Sequence, residues 1–156
     1  MGETVSQARA RTDRELATWQ AGVVAGVLGG VVMAVLYSVF QPSFLTASVP
    51  GIYGLDGASG LVGWTLHVSH AAVLGVAFVA GFEGLADEEW ATVTTTVASV
   101  AFAILVWGSV VLLLDPLWGG AADGGTGSSL LDVSLVGAAA HLAYGVVVGP
   151  VVVALR

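Results

Sequence analysis

The feature that most constrains this chain is the spacing of its charged residues, which leaves four long stretches without any charge. The residues that bound these stretches are Glu15 and Asp56, Asp56 and Glu83, Glu89 and Asp115, and Asp132 and Arg156. Each stretch exceeds the roughly 20 residues that an α-helix needs to cross the hydrocarbon core of a bilayer. Only 10% of the residues are charged and 56% are hydrophobic, whereas soluble domains carry about 25% charged residues. The sequence therefore predicts an all-α membrane protein with four transmembrane helices.

Proline and glycine residues divide these stretches into spans and connections. Pro42 ends the first span, because a residue that precedes proline avoids the helical conformation. The pair Pro50-Gly51 and then Gly54 are turn signals, and they predict an outer loop over residues 43–60. The predicted spans cover about residues 18–40, 61–82, 91–114 and 133–155, within one transmembrane domain of residues 18–156.

The polar segment before the first span predicts the orientation of the protein. Residues 1–17 carry Arg9, Arg11 and Arg14, and arginines close to a span are retained in the cytoplasm. This segment is therefore expected to be a cytoplasmic tail. With four spans the C-terminus returns to the same side, where Arg156 lies. We expect a multi-pass protein of the cell membrane with both termini in the cytoplasm.

Residues 135–149 repeat the pattern of residues 61–75. Both segments have Leu-Val-Gly, three residues, His, two residues, His or Tyr, four residues and Gly, at an offset of 74 residues. The same offset relates Gln41-Pro42 to Asp115-Pro116. The chain is therefore predicted to form two tandem helical hairpins, related by a pseudo-two-fold axis along the membrane normal. Together the two hairpins would make a four-helix bundle.

Small residues recur at intervals of four in the first, second and fourth spans. Residues at this spacing lie on one side of a helix, and a stripe of small residues lets another helix approach closely in lipid. The glycines predicted to serve helix packing are Gly22, Gly26, Gly30, Gly63, Gly75, Gly137, Gly145 and Gly149. Since the first span has more of them than one neighbour needs, we expect a homo-oligomer or a larger membrane complex.

All three histidines lie in predicted spans. His67 and His141 occupy matching places in the glycine stripes, so they should face the bundle interior at equal depth. His70 and Tyr144 follow about one turn, or about 4–5 Å, deeper on an adjacent side. An ionisable residue inside the bilayer is a functional candidate by default. His67 and His141 are therefore the candidate cofactor-binding residues, with His70 and Tyr144 secondary to them.

Three interpretations of these side chains stay open. In the first, each imidazole makes an interhelical hydrogen bond and needs no ligand. In the second, His67 and His141 ligate a haem b iron from opposite faces, as residues in bundle cores do. In the third, the histidines line a polar path for protons or ions together with Gln41 and Asp115.

Two of the ligand sites have sequence features against them. A haem would find no Arg or Lys near the outer boundary to pair with its propionates, and glycines used for helix contact leave no space for its ring. A bare metal site of His67, His70 and His141 is disfavoured, because no membrane-buried carboxylate completes the ligand set. We therefore expect no resident metal and no required cofactor.

Several classes of function are excluded by composition and by missing motifs. The chain has no Cys, which excludes disulfides and iron–sulfur clusters. Its net charge of −7 argues against nucleic-acid binding, which depends on Lys and Arg contacts to phosphate. No Gly-Lys-Ser/Thr phosphate loop and no serine nucleophile elbow occurs. The lipid bilayer is the expected surrounding, and a non-enzymatic, structural or accessory role in a membrane complex is the expected function.

The chain resembles a group of small four-helix membrane proteins of haloarchaea. The resemblance rests on His141-Leu-Ala-Tyr144-Gly145-Val-Val-Val-Gly149, on the Gly-rich first helix and on the acidic turn of residues 83–89, and it covers most of residues 18–155. The acidic, Lys-free composition is also typical of proteins from salt-loving microbes, where salt screens the self-repulsion. Since the group has no established activity, the resemblance implies the fold and the membrane location. Accessory subunits of respiratory oxidases are similar in size and topology, which is an analogy only.

Overall fold

The structure is a computed structural model, and it describes residues 16–55, 57–84, 91–114 and 135–156. Four long helices account for most of them, namely α1 (Thr18–Phe40), α2 (Gly60–Glu83), α3 (Thr92–Ser109) and α4 (Leu135–Leu155). A π-helical turn, Val110–Leu114, continues α3. All four spans are long and apolar enough to cross a membrane, so the predicted all-α membrane fold is confirmed. Residues 1–15 of the predicted cytoplasmic tail, Asp115, and residues 133–134 of the predicted fourth span lie outside the described residues.

The connection between α1 and α2 is folded and packed, although the sequence predicted an outer loop. Helix α1 ends before Pro42, as expected, and residues 44–48 then form a π-helical turn that leads into one α-helical turn at residues 49–51. Leu45 and Val49 are buried, and the Leu45 backbone lies directly against Gly63 of α2. The predicted turn follows at Gly54, whose φ is 65°. We call residues 41–55 the connecting segment.

The helices are arranged in the order α2, α1, α4, α3. Helix α1 packs against both α2 and α4, and α4 packs on its other side against α3. Helices α2 and α3 make few contacts with each other. Where these two helices approach, the ring centroids of Phe78 and Phe102 are 5.7 Å apart. The buried apolar residues of the two central helices are Ala21, Ala25, Met33, Ala34, Tyr37, Ala140, Tyr144, Val148 and Val152.

One close contact inside each hairpin corresponds at the 74-residue offset, namely Gly22 with Gly75 and Thr96 with Gly149. In the first hairpin, a Cβ atom placed on Gly75 would lie 2.8 Å from Cα of Gly26, and one on Gly22 would lie 2.9 Å from the Gly75 carbonyl oxygen. In the second hairpin, a Cβ atom on Gly149 would lie 2.5 Å from Cα of Thr96. Between the hairpins the correspondence ends, because α1 packs broadly on α4 while α3 and α2 meet little. The two-fold axis therefore stays a prediction.

Both described ends of the chain lie at the same end of the bundle. The Leu16 amide donates a hydrogen bond to the Leu155 carbonyl at 2.9 Å, and Nη2 of Arg156 lies 4.0 Å from Oε1 of Glu83. We call this the terminal end of the bundle. The starts of α2 and α4 lie at the opposite end, which we call the histidine end because both helices place a histidine near it.

Candidate histidine site

His67 lies in an aromatic enclosure at the histidine end. Its side chain is only 8% exposed. The ring meets Tyr37 of α1 edge-on, with centroids 5.7 Å apart, and meets Phe44 of the connecting segment in the same way at 5.8 Å. Tyr37 and Phe44 stack on each other at 4.0 Å. The connecting segment therefore covers His67 from the end of the bundle.

One ring nitrogen of His67 has no hydrogen bond. Its Nε2 atom is buried and finds no partner among the residues that the structure describes. Leaving a buried polar atom unpaired costs about 1–3 kcal/mol, and the great majority of such atoms in proteins are paired with protein, water or an ion. An interhelical hydrogen bond, as the first interpretation required, is not made by this atom.

His141 occupies the matching place in the sequence but has different surroundings. Its Nδ1–H donates to the Gly137 carbonyl of the same helix at 2.8 Å. A neutral imidazole that donates through Nδ1 keeps a lone pair on Nε2, which can accept a hydrogen bond or bind a metal. His141 is partly exposed while His67 is buried. The two histidines therefore differ in burial and in hydrogen bonding, and their equal depth stays a prediction.

Tyr37 and Trp107 connect the surroundings of the two histidines. A Cβ atom on Gly137 would lie 3.5 Å from the Tyr37 hydroxyl oxygen and 3.1 Å from Nε1 of Trp107. The Gly137 carbonyl accepts the hydrogen bond from His141, and the Tyr37 ring contacts the His67 ring edge-on. Each of the four helices therefore contributes one side chain to this region. We call Tyr37, His67, Trp107 and His141 the histidine cluster.

Tyr37 and Trp107 were not identified from the sequence. For Tyr37 a signal was present, since it follows Gly26, Gly30 and Met33 at helical spacing and therefore continues the stripe that faces the neighbouring helices. For Trp107 a weaker signal was present, since it follows Thr95, Ser99 and Ala103 at intervals of four on a helix that has no glycine stripe.

The two secondary candidates lie outside the histidine cluster. His70 faces the connecting segment, where Nε2 and the Tyr53 hydroxyl are hydrogen bonded at 2.5 Å and the two rings stack at 5.7 Å. The Tyr144 side chain is 2% exposed, and its hydroxyl donates to the Ala71 carbonyl at 2.8 Å. Tyr144 therefore joins α4 to α2.

The residues around the histidines do not fit a haem. Space for the macrocycle would have to come from the glycine stripes, but facing helices or the connecting segment fill them. The glycines at which an added Cβ atom would come closer than 3.0 Å to a neighbour are Gly22, Gly26, Gly29, Gly30, Gly63, Gly75, Gly145 and Gly149. Gly137 is nearly as close to its neighbours, at 3.1 Å. These contacts serve helix packing and leave no slot along the glycine stripes for a flat ring of that size.

The metal site and the polar path considered above also lose residues. Within the described part of the chain, no group of three or more His, Cys, Asp or Glu side chains is placed to hold a metal, and His70 is engaged with Tyr53. The polar path loses His70 for the same reason, and its Asp115 lies outside the described residues. His67 and His141 are therefore the histidines that remain in both sets.

Most other buried polar groups bond to backbone carbonyls. Ser99 of α3 donates to the Gly145 carbonyl of α4 at 2.7 Å, and Thr95 donates to the Ala91 carbonyl at 3.0 Å. The Ser99 bond joins α3 to α4, and the Thr95 bond lies within α3.

Comparison of the chain with protein-family models, with curated proteins and with solved structures found no match. The resemblance to the haloarchaeal four-helix proteins stays a prediction.

Proposed function

We propose that this protein is a non-enzymatic, multi-pass membrane protein that serves as a structural or accessory subunit of a larger membrane complex. The observation that supports this proposal most is the use of buried polar side chains as links between helices. Tyr144 bonds to the Ala71 backbone of α2, and Ser99 of α3 bonds to the Gly145 backbone of α4. Interhelical bonds of this kind contribute about 0.6 kcal/mol on average in a membrane. They fix the positions of helices without binding a substrate.

Helix α3 supports a role as a subunit, because it is held mainly by one neighbour. Its packed side consists of small residues that lie on α4, namely Thr95, Ser99 and Ala103. Its opposite side carries larger apolar residues that are 76%, 64% and 67% exposed, namely Val93, Val97 and Leu105. Helices associate in lipid through packing and not through the hydrophobic effect. A full-length span with one unpacked side therefore offers a place where a partner helix can add contacts.

The size of the particle extracted from membranes tests this proposal. We expect protein solubilised in a mild detergent to migrate on native electrophoresis as a particle that contains more than one chain. Mass measurement of the same particle in lipid nanodiscs distinguishes a homo-oligomer from a mixed complex. A single chain in both measurements, from membranes that were never exposed to a harsh detergent, would contradict the subunit role.

The visible absorption spectrum of the same sample tests the haem alternative. Because the glycine stripes are filled by neighbouring helices, we expect no Soret band. A Soret band that is lost in both His67→Ala and His141→Ala would overturn the proposal in favour of an electron-transfer protein.

A further inference from the structure

The connecting segment lies alongside α2 and does not simply join two helix ends. Its backbone lies directly against Gly63, and the Phe44 ring contacts the His67 ring edge-on. Farther along the same helix, the Tyr53 hydroxyl is hydrogen bonded to His70 and the two rings stack. The segment therefore folds back along α2 toward the middle of the bundle.

The charge at the other end of α2 shows how deep these contacts lie. Glu83 is the last residue of α2, and a charged side chain is costly in the hydrocarbon core of a bilayer. The core holds about 20 residues of a helix, and counted back from Glu83 these residues reach Gly63. His70 lies about 10 Å inside that boundary, so its ring stays in the core even though helical side chains lean toward the start of their helix. The connecting segment therefore contacts α2 within the thickness of the core.

The backbone of the segment meets the requirement that lipid imposes. Because the hydrocarbon core contains no water, backbone amides at that depth must find partners within the protein. Residues 44–51 are helical. In the turn that follows, the amides of residues 52–55 donate to carbonyl oxygens of the segment at 2.9–3.3 Å. The Thr46 hydroxyl likewise donates to the Pro42 carbonyl at 3.1 Å. A loop in water could leave such donors to the solvent.

The outward side of the segment is apolar where it is deepest. Ile52 and Tyr53 are 47% and 51% exposed, and residues 41–55 carry no charge. Exposed apolar side chains at the depth of the hydrocarbon core have lipid as their natural surroundings, and tyrosine is enriched at the boundary between core and headgroups.

We propose that residues 44–55 form a re-entrant segment, which enters the bilayer at the histidine end, turns within it and leaves on the same side. Its partner is lipid, and Ile52 contacts the acyl chains. Ser43 lies beyond the core, because about 20 residues counted from the start of α1 end near Tyr37. This inference goes beyond the subunit role and does not depend on it.

Quenching of a fluorescent label by brominated lipids tests the re-entrant segment. The chain contains no Cys, so a bimane label can be attached to Ile52→Cys, to Ser43→Cys or to Val73→Cys of α2. All three native residues are exposed. In vesicles of phosphatidylcholine brominated on its acyl chains, we expect the label on Ile52→Cys to lose a fraction of its fluorescence close to that lost from Val73→Cys. The label on Ser43→Cys should lose much less. Iodide in the surrounding water should quench in the opposite order.

A measurement on the unsubstituted protein separates the position of the segment from any effect of the label. Lipids that carry a photoactivatable diazirine on the acyl chain are expected to form adducts within residues 44–55 as well as with the helices, as located by mass spectrometry of peptides. The inference is overturned if the label on Ile52→Cys is quenched by brominated lipid no more than the label on Ser43→Cys. It is also overturned if the acyl-chain probe labels the four helices and leaves residues 44–55 unlabelled. The subunit role would survive both results, because it is measured by particle size.

Discussion

Tyr144 shows how a single residue couples three helices of this protein. A Cβ atom on Gly29 of α1 would lie 2.7 Å from Cδ2 of Tyr144, so the ring of Tyr144 lies on the bare backbone of α1. Its hydroxyl continues to the Ala71 carbonyl of α2. A buried tyrosine needs an apolar surface for its ring and a hydrogen-bond partner for its hydroxyl. Helix α1 supplies the surface, and α2 supplies the partner.

The substitution Tyr144→Phe should therefore lower the free energy of unfolding by about 0.6 kcal/mol, the average for interhelical hydrogen bonds in membranes, and by no more than about 1.7 kcal/mol, the largest value measured. Denaturant titration in detergent micelles, followed by circular dichroism, measures this change. The matched control is Tyr53→Phe, which removes a hydroxyl bonded to His70 from a residue that is 51% exposed, and which should cost less. An equal loss in the two variants would contradict the role given to Tyr144.

At the residue scale, the sequence predicted the positions of the histidines better than their surroundings. The repeat predicted that His67 and His141 face the bundle interior at equal depth, and His67 is buried while His141 is partly exposed. It could not predict that only His67 is enclosed, because the enclosure comes from Phe44 in a segment that the turn signals assigned to an outer loop. The environment of a buried imidazole depends on such tertiary contacts, which the spacing of residues within one helix does not contain.

At the scale of helices, the α1–α2 contact depends on the absence of side chains at a few positions. A Cβ atom on Gly75 would lie 2.8 Å from Cα and 2.9 Å from the backbone nitrogen of Gly26, and backbone atoms cannot rotate out of the way as a side-chain end can. The same helix contains Gly81, where an added Cβ atom would have no neighbour within 4 Å.

We expect Gly75→Ala to destabilise the protein by about 1–3 kcal/mol, the usual cost of overpacking. Gly81→Ala should be neutral or stabilising by up to about 1 kcal/mol, because alanine is the better helix former. The midpoint of thermal unfolding in detergent compares the two variants directly. If both variants unfold at the same temperature, α1 and α2 do not pack as closely as described.

The bounds of the helices could be predicted from the sequence, but their order could not. Charge-free length and helix-ending residues fix where a span begins and ends, because an unpaired charge or an open backbone is costly in lipid. A stripe of small residues shows that some helix approaches closely and does not show which one. Helix α1 has glycines on the side that faces α2 and on the side that faces α4. It can therefore pack closely on both helices and lie between them.

At the scale of the whole molecule, the Leu16–Leu155 hydrogen bond and the Arg156–Glu83 ion pair bring both described ends of the chain to the terminal end of the bundle. The side of the membrane on which this end lies follows from the arginines of the N-terminal segment and is a prediction. The chain has no Cys, so single cysteines can report on each end without interference.

We expect Ser43→Cys, in the connecting segment, to react with a membrane-impermeant maleimide in intact cells. Gly84→Cys, which follows α2 at the terminal end, should react only after the membrane is permeabilised. Both native residues are exposed, so accessibility of the side chain does not limit the reaction. The reverse pattern of labelling would place the termini outside the cell.

The most direct test of the proposed subunit role asks whether the open side of α3 touches another protein in the native membrane. A photo-cross-linker attached to Val97→Cys on α3 is compared with the same reagent on Val73→Cys of α2, since the two native side chains are 64% and 67% exposed. We predict a discrete protein adduct from position 97, identified by mass spectrometry as a second copy or a different membrane protein, and mainly lipid adducts from position 73. Lipid adducts alone at both positions would contradict the account.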